Sequence, residues 1–150
     1  MAMQYGLIGK SLTHSRSAEI HSAFVPGISY ACMELSSTSA VHDFLKKREF
    51  SGVNVTVPYK RVVLKDLDRL DESARKIGAV NCIVQRNRKL YGYNTDFVGL
   101  QDMLQNHTLS LKEQHVAVLG TGGAARCAAY VVQQAGGHYV YVSRHPREGM

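Results

Sequence analysis

The run Gly120-Thr121-Gly122-Gly123-Ala124-Ala125 constrains this chain more than any other segment. It fits the pattern G-x-G-x-x-G/A, and its setting gives the pattern meaning. A short apolar strand, His115-Val116-Ala117-Val118-Leu119, precedes it, and a helix over Ala124 to Ala135 is predicted to follow. Gly136-Gly137 stops that helix, and a second strand runs from His138 to Ser143. A strand, a glycine turn, a helix and a strand make one βαβ unit of the dinucleotide-binding kind. Gly120 permits the tight turn, Gly122 lets the backbone approach a pyrophosphate, and Ala125 allows close helix–strand packing. The anion then sits at the helix N-terminus, where free N–H groups and the dipole favour negative charge; the plainer reading is a tight turn with no ligand.

The residues about 20 positions further on choose between cofactors. An aspartate or glutamate at the end of the second strand binds the ribose hydroxyls of NAD. This chain has Ser143 and Arg144 there, with Arg147 close behind. A guanidinium pairs with the extra phosphate of NADP, which an aspartate would repel, so the reading is NADP, with Arg147 as a second clamp.

The first 106 residues read as a separate α/β lobe. Strands are predicted at Tyr5 to Gly9, Ile28 to Leu35 and Gly52 to Val57, the last with Val53, Val55 and Val57 on one face until Pro58 ends it. Between them lie a helix over Ala18 to Val25 with Ser17 as N-cap, and one ending near Arg48 with Val41, Phe44 and Leu45 on one face. Pro58 suits a helix's first turn, and helical stretches follow through Leu64 and Leu67 and from Asp71 to a C-cap at Gly78. Val80 to Gln85 and Leu90 to Tyr93 form a hairpin, and a helix carrying Phe97, Leu100 and Leu104 starts at Thr95 or Asp96. The boundary between lobes is expected between Asn106 and Gln114, giving domains 1–106 and 107–150.

Composition narrows the function classes. With 45% hydrophobic and 20% charged residues the chain is a core-forming, globular one. It has no run of about 20 apolar residues, which predicts no membrane span. Its start lacks the layout of a secretory signal, so the expected address is the cytoplasm. Cys32, Cys82 and Cys127 are read as reduced core thiols, since no C-x-x-C pair is present. The seven histidines include no H-x-x-x-H or H-E-x-x-H spacing, and no metal is expected. The net charge of +6 comes largely from three short clusters, Lys46-Lys47-Arg48, Arg86-Asn87-Arg88-Lys89 and Arg144-His145-Pro146-Arg147, without interleaved aromatics. That charge fits small anionic ligands at least as well as nucleic acid.

Three further groups stand at element ends, where sites collect. Ser15 and Ser17 precede a helix start, a place for a carboxylate, although capping alone would account for Ser17. Lys60 follows the third strand by a short turn, and Asp96 opens a helix. If they meet, a buried lysine could exchange a proton with a substrate hydroxyl while the carboxylate orients it; otherwise Lys60 is a solvated lysine and Asp96 a cap.

Taken together and in order, five segments resemble the shikimate dehydrogenase family. They are His14-Ser15-Arg16-Ser17, Asn54-Val55-Thr56-Val57-Pro58-Tyr59-Lys60, Gly78-Ala79-Val80-Asn81, Tyr93-Asn94-Thr95-Asp96-Phe97-Val98-Gly99, and the glycine turn from Gly120. The resemblance runs from Tyr5 to about Arg147. It implies an N-terminal α/β substrate-binding lobe followed by the first βαβ unit of a Rossmann-type NADP-binding domain. It also implies NADP-dependent interconversion of 3-dehydroshikimate and shikimate, in a monomer or homodimer, on the route to chorismate and the aromatic amino acids. By the same resemblance Ser15 and Ser17 hold the substrate carboxylate, and Thr56, Asn81 and Asp96 hold its ring hydroxyls. Lys60 and Asp96 form the catalytic pair, while Gly120, Gly122, Gly123, Ala124, Ser143, Arg144 and Arg147 contact the cofactor. Ser11, Ala18 and Ser143 depart from the family's usual proline, proline and asparagine. Serine at position 17 favours shikimate over quinate. Relatives complete the nucleotide domain with a second half, so this chain reads as a fragment of such a dehydrogenase or, if it is whole, as a non-catalytic shikimate-binding module.

Overall fold

Period-two apolar patterns in the first lobe become a six-stranded mixed sheet in the computed structural model, which describes residues 5–144. In chain order the elements are β1 (Tyr5–Gly9), α1 (Ser17–Phe24), β2 (Tyr30–Glu34), α2 (Thr38–Lys47), β3 (Gly52–Val55) and a 3-10 helix (Val62–Asp66). There follow β4 (Arg69–Leu70), α3 (Glu72–Ile77), β5 (Cys82–Arg86), β6 (Lys89–Tyr93) and α4 (Thr95–Asn106). The chain then forms β7 (His115–Leu119), α5 (Gly123–Gln134) and β8 (His138–Val142). The large sheet runs β2-β1-β3-β5-β6-β4, and β7 and β8 pair in parallel as a second sheet.

Strands β2, β1 and β3 are parallel, joined by helical crossovers, whereas β5 is antiparallel to both β3 and β6. The hairpin turns at Asn87 and Arg88, both with positive φ, as a two-residue turn between right-twisted strands requires. Its open end, near Asn81 and Tyr93, therefore lies beside the C-terminal ends of β1 and β3. A bond from Val55 N–H to the Asn81 carbonyl (2.8 Å) and one from Asn81 N–H to the Tyr93 carbonyl (3.0 Å) tie these ends together.

One sheet face carries the main core. Ile8, Val53, Val55, Ile83 and Leu90 meet Val41 and Leu45 of α2, Val63 of the 3-10 helix and Ala74 of α3. Burying a side chain of this size contributes about 1.5–3 kcal/mol, so this cluster fixes which face each strand turns inward. Helix α2 starts at Ser37, whose hydroxyl accepts from Ala40 N–H, and ends at Arg48 in the left-handed region.

The structure corrects several expectations. Strand β3 ends at Val55, and Val57 is 71% exposed rather than on the core face. The chain turns at Thr56, whose carbonyl accepts from Tyr59 N–H, and the Val57–Pro58 peptide is cis. Tyr59 takes the buried place instead, its hydroxyl donating to the Leu35 carbonyl at 2.5 Å. Pro58 thus sits in this turn and not in the first turn of a helix. Arg69–Leu70, too short to show an alternating pattern, is a strand paired with β6. Cys32, on the edge strand β2, is exposed rather than in the core, while Cys82 is half-buried and Cys127 buried. No helix among the described residues is long and apolar enough to cross a membrane.

Candidate functional site

The turn from Thr56 to Lys60 and the open end of the hairpin bring residues distant in sequence to one place. Val80 N–H donates to the Lys60 carbonyl at 2.7 Å, which fixes the lysine's backbone against the approach to β5. The Lys60 side chain then reaches the start of α4, where Nζ donates to Asp96 Oδ2 at 2.6 Å. Side-chain exposure is 16% for Lys60 and 36% for Asp96, so the pair is sheltered at the lysine and open at the carboxylate. Asn81 Nδ2 donates to the other carboxylate oxygen, Oδ1, at 2.8 Å and to Thr95 Oγ1 at 2.9 Å. Asn81 Oδ1 in turn accepts from Thr95 N–H at 2.8 Å, a free donor of the first turn of α4. Asn81 is therefore bonded on both ends of its amide, and Asp96 is held through both oxygens.

Asn94, the residue before α4, makes no cap with its side chain. It is buried and donates to the Ala79 carbonyl at 2.9 Å, locking the entry to α4 onto the segment that leads to Asn81. Asn94 and Thr95 are residues whose positioning work sequence reasoning missed; their only signal was membership of the Tyr93–Gly99 segment.

A second group lies at the end of β1. Ser15, Ser17 and Thr56, with Leu7, Ser11, Leu12, Thr13 and His14, line an open cleft of about 340 Å³. The helix-start bond expected of Ser17 is made by Ser15 instead. Ser15 Oγ accepts from Ser17 N–H at 3.2 Å, and Ser17 is the first residue of α1, with Arg16 rather than Ser17 at the N-cap position. Leu12 N–H donates to Glu34 at 2.6 Å and holds the loop over β2. Thr56 belongs both to this cleft and to the turn that delivers Lys60.

The glycine turn lies in the second sheet. Gly120 has φ of +106°, and a side chain added at Gly120 or Gly122 would meet no atom within 4 Å. The turn is thus open to a ligand rather than packed by neighbours. Leu119, Gly120, Thr121, Val142, Ser143 and Arg144 line a cleft of about 520 Å³. Its charged group is the Arg144 guanidinium, which suits phosphate oxygens; Gly122, Gly123 and Ala124, at the start of α5, are not among the residues that line it. Arg147 lies outside the described residues. No group of three or more His, Cys, Asp or Glu side chains placed to hold a metal ion occurs among the described residues.

Comparison with known proteins decides the family. The profile of the shikimate dehydrogenase substrate binding domain matches residues 7–83. The chain belongs to the shikimate dehydrogenase family. Proteins named shikimate dehydrogenase (NADP(+)) include one from Clostridium beijerinckii, 40% identical over 128 residues, which are 81% of this chain and 47% of that protein. Another, from Pyrococcus abyssi, is 42% identical over 130 residues, 84% of this chain and 49% of the relative. Among solved structures, shikimate dehydrogenase 1 from Peptoclostridium difficile superposes with a TM-score of 0.89 at 36% identity, covering 99% of this chain and 57% of its own. The Thermus thermophilus family member, solved in complex with NADP(H) and shikimate, gives 0.85 at 33% identity, covering 96% and 57%. The chain spans about half the length of the curated family members it matches.

Proposed function

We propose that the protein is an NADP-dependent shikimate dehydrogenase, reversibly reducing 3-dehydroshikimate to shikimate on the route to chorismate. The observation that carries this reading is the Lys60–Asp96–Asn81 network, a proton-handling lysine held against a carboxylate that an amide orients. Ser15 and Ser17 take the substrate carboxylate in the cleft they line, and Thr56, Asn81 and Asp96 take its ring hydroxyls. Gly120, Gly122, Gly123, Ala124, Ser143, Arg144 and Arg147 take the cofactor. Bound there, NADP would supply the hydride acceptor for the oxidation.

The chain's own part is acid–base chemistry and positioning. In the direction of oxidation the hydroxyl proton of shikimate passes to the Nζ of Lys60 in its amine form. In reduction the Lys60 ammonium returns a proton to the ketone oxygen. Asp96, fixed through Oδ1 by Asn81, keeps Nζ directed at that oxygen, so the geometry is set before substrate arrives. The test is NADPH formation from NADP and shikimate by the native protein, with quinate as competing substrate and Lys60→Ala as control. Oxidation of shikimate that falls by roughly 10²–10⁴ in Lys60→Ala supports the reading. Binding of shikimate without turnover would replace it with a binding module.

A further inference from the structure

Gly123, the first residue of α5, has an ordinary helical backbone and no need of glycine's conformational freedom. What distinguishes it is its neighbour. A Cβ placed on Gly123 would lie 3.1 Å from both Cβ and Cδ of Lys60 and 3.4 Å from Cβ of Ala79. Contacts near 3.1 Å are tighter than side chains ordinarily accept, so the lysine would have to move. Its two ends are not free to do so: the carbonyl is bonded to Val80 N–H and Nζ to Asp96.

The same face of α5 continues onto the first lobe one and two turns later. Arg126 Nη1 would stand 3.5 Å from a Cβ on Gly78, at the left-handed end of α3. Cys127 packs with Ile77 and Ala79, and Tyr130 lies 5.2 Å from Phe97 of α4, ring centre to ring centre. Positions 123, 126, 127 and 130 form one helical stripe. The helix is thereby seated, and the contact at its first residue is fixed in register with the lysine.

We propose that Gly123 is a positioning residue for Lys60: the missing side chain lets the cofactor-lobe helix press on the lysine's stem and hold Nζ on Asp96. The inference rests on the reading that Lys60 handles the proton. It gives the last glycine of the turn a task toward the substrate side as well as toward the dinucleotide. In Gly123→Ala the stem is pushed aside by a few tenths of an ångström, and Nζ leaves its place.

The experiment uses the native protein carrying lysine isotope-labelled at Cε, with the Lys60 signal assigned by its loss in Lys60→Arg. Gly123→Ala is expected to shift the Lys60 signal in the protein free of ligands. It should also lower kcat for shikimate by on the order of tenfold, while the KM for NADP changes far less. An unchanged Lys60 signal, or a loss confined to NADP binding, would overturn the proposal. If the native protein does not oxidise shikimate, the functional reading fails while the Lys60 signal still tests the contact. Should Gly123→Ala unfold readily, Lys60→Ala is added in the same chain. Removing Cδ must then restore part of the lost melting temperature, and simply additive losses would refute the contact.

Discussion

Asn81 and Lys60 grip opposite oxygens of a single carboxylate, Asp96, at 2.8 and 2.6 Å. The amide accepts the Thr95 N–H on its other side, so Asn81 is fixed whether or not a ligand is present. Asn81→Ala should therefore free the Asp96 side chain to rotate, lowering kcat for shikimate by roughly 10²-fold, with cofactor binding little changed. Steady-state kinetics against shikimate and NADP in turn checks this; a fall confined to the KM for NADP would contradict it.

Ser15 carries a helix-start hydrogen bond that Ser17 lacks. Ser15→Ala is thus expected to cost about 0.5–1.5 kcal/mol of stability, the net worth of one hydrogen bond, besides raising the KM for shikimate. Ser17→Ala, which removes the hydroxyl's hydrogen bond with Tyr30 but leaves the helix-start bond intact, should raise KM with a smaller effect on unfolding. Denaturant melts alongside kinetics separate the two serines.

Much of the fold was legible because it is local. The hairpin follows from two alternating runs around a short polar turn, and the βαβ unit from a glycine turn between a strand and a helix. Local signals fail where the chain's path is decided at a distance. Lys60 and Asp96 are 36 residues apart and meet only because β5 lies next to β3 with the hairpin's open end at the site. No spacing rule contains that adjacency, and before the structure only the family resemblance paired them. The exposure of Val57 was hidden for a related reason: its alternation with Val53 and Val55 is real in the sequence, but the buried Tyr59 wins the core position and turns the chain. The helix-start bond falls on Ser15 rather than Ser17 because two hydroxyls two residues apart can each serve a helix start, and composition cannot rank them.

Arg144 lies two residues beyond the end of β8 and lines the cleft beside Gly120 and Thr121. Replacing it with aspartate should reverse the charge offered to the 2′-phosphate and cut the preference for NADP over NAD by on the order of tenfold or more. The ratio of kcat/KM for the two cofactors measures this. An unchanged ratio would leave Arg147 as the residue to alter next.

The three thiols differ in reactivity. Cys32 is exposed, while burial pushes the Cys82 thiol up and that of Cys127 to about 11, helped by the nearby Asp96 charge. Iodoacetamide at pH 8 should label Cys32 first and Cys127 last, read by peptide mass. The stability contributed by a protonated Cys127 is complete below the ordinary thiol value of 9.0. As pH rises from there toward about 11 the unfolded chain ionises first, so the native state loses ground. Cys127→Ala should flatten that part of the stability profile.

Asp71 caps α3 by accepting from Ala74 N–H at 2.9 Å and Ser73 N–H at 3.2 Å. Its replacement by alanine should cost about 1 kcal/mol in a urea melt. Because α3 leads through Gly78 and Ala79 to Asn81, that loss is expected to be accompanied by a smaller loss of kcat. A change in kcat with no change in stability would point to a different role for Asp71.

The β5–β6 hairpin directs its open end to Asn81 and Asp96, which leaves its closed end, Asn87-Arg88, at the opposite rim of the sheet. Anything grafted there is remote from the chemistry. A fluorophore or an affinity handle inserted between Asn87 and Arg88 would report on the lobe or immobilise it without crowding the lysine. That tip is accordingly the natural attachment point for engineering this protein onto a surface or into a sensor.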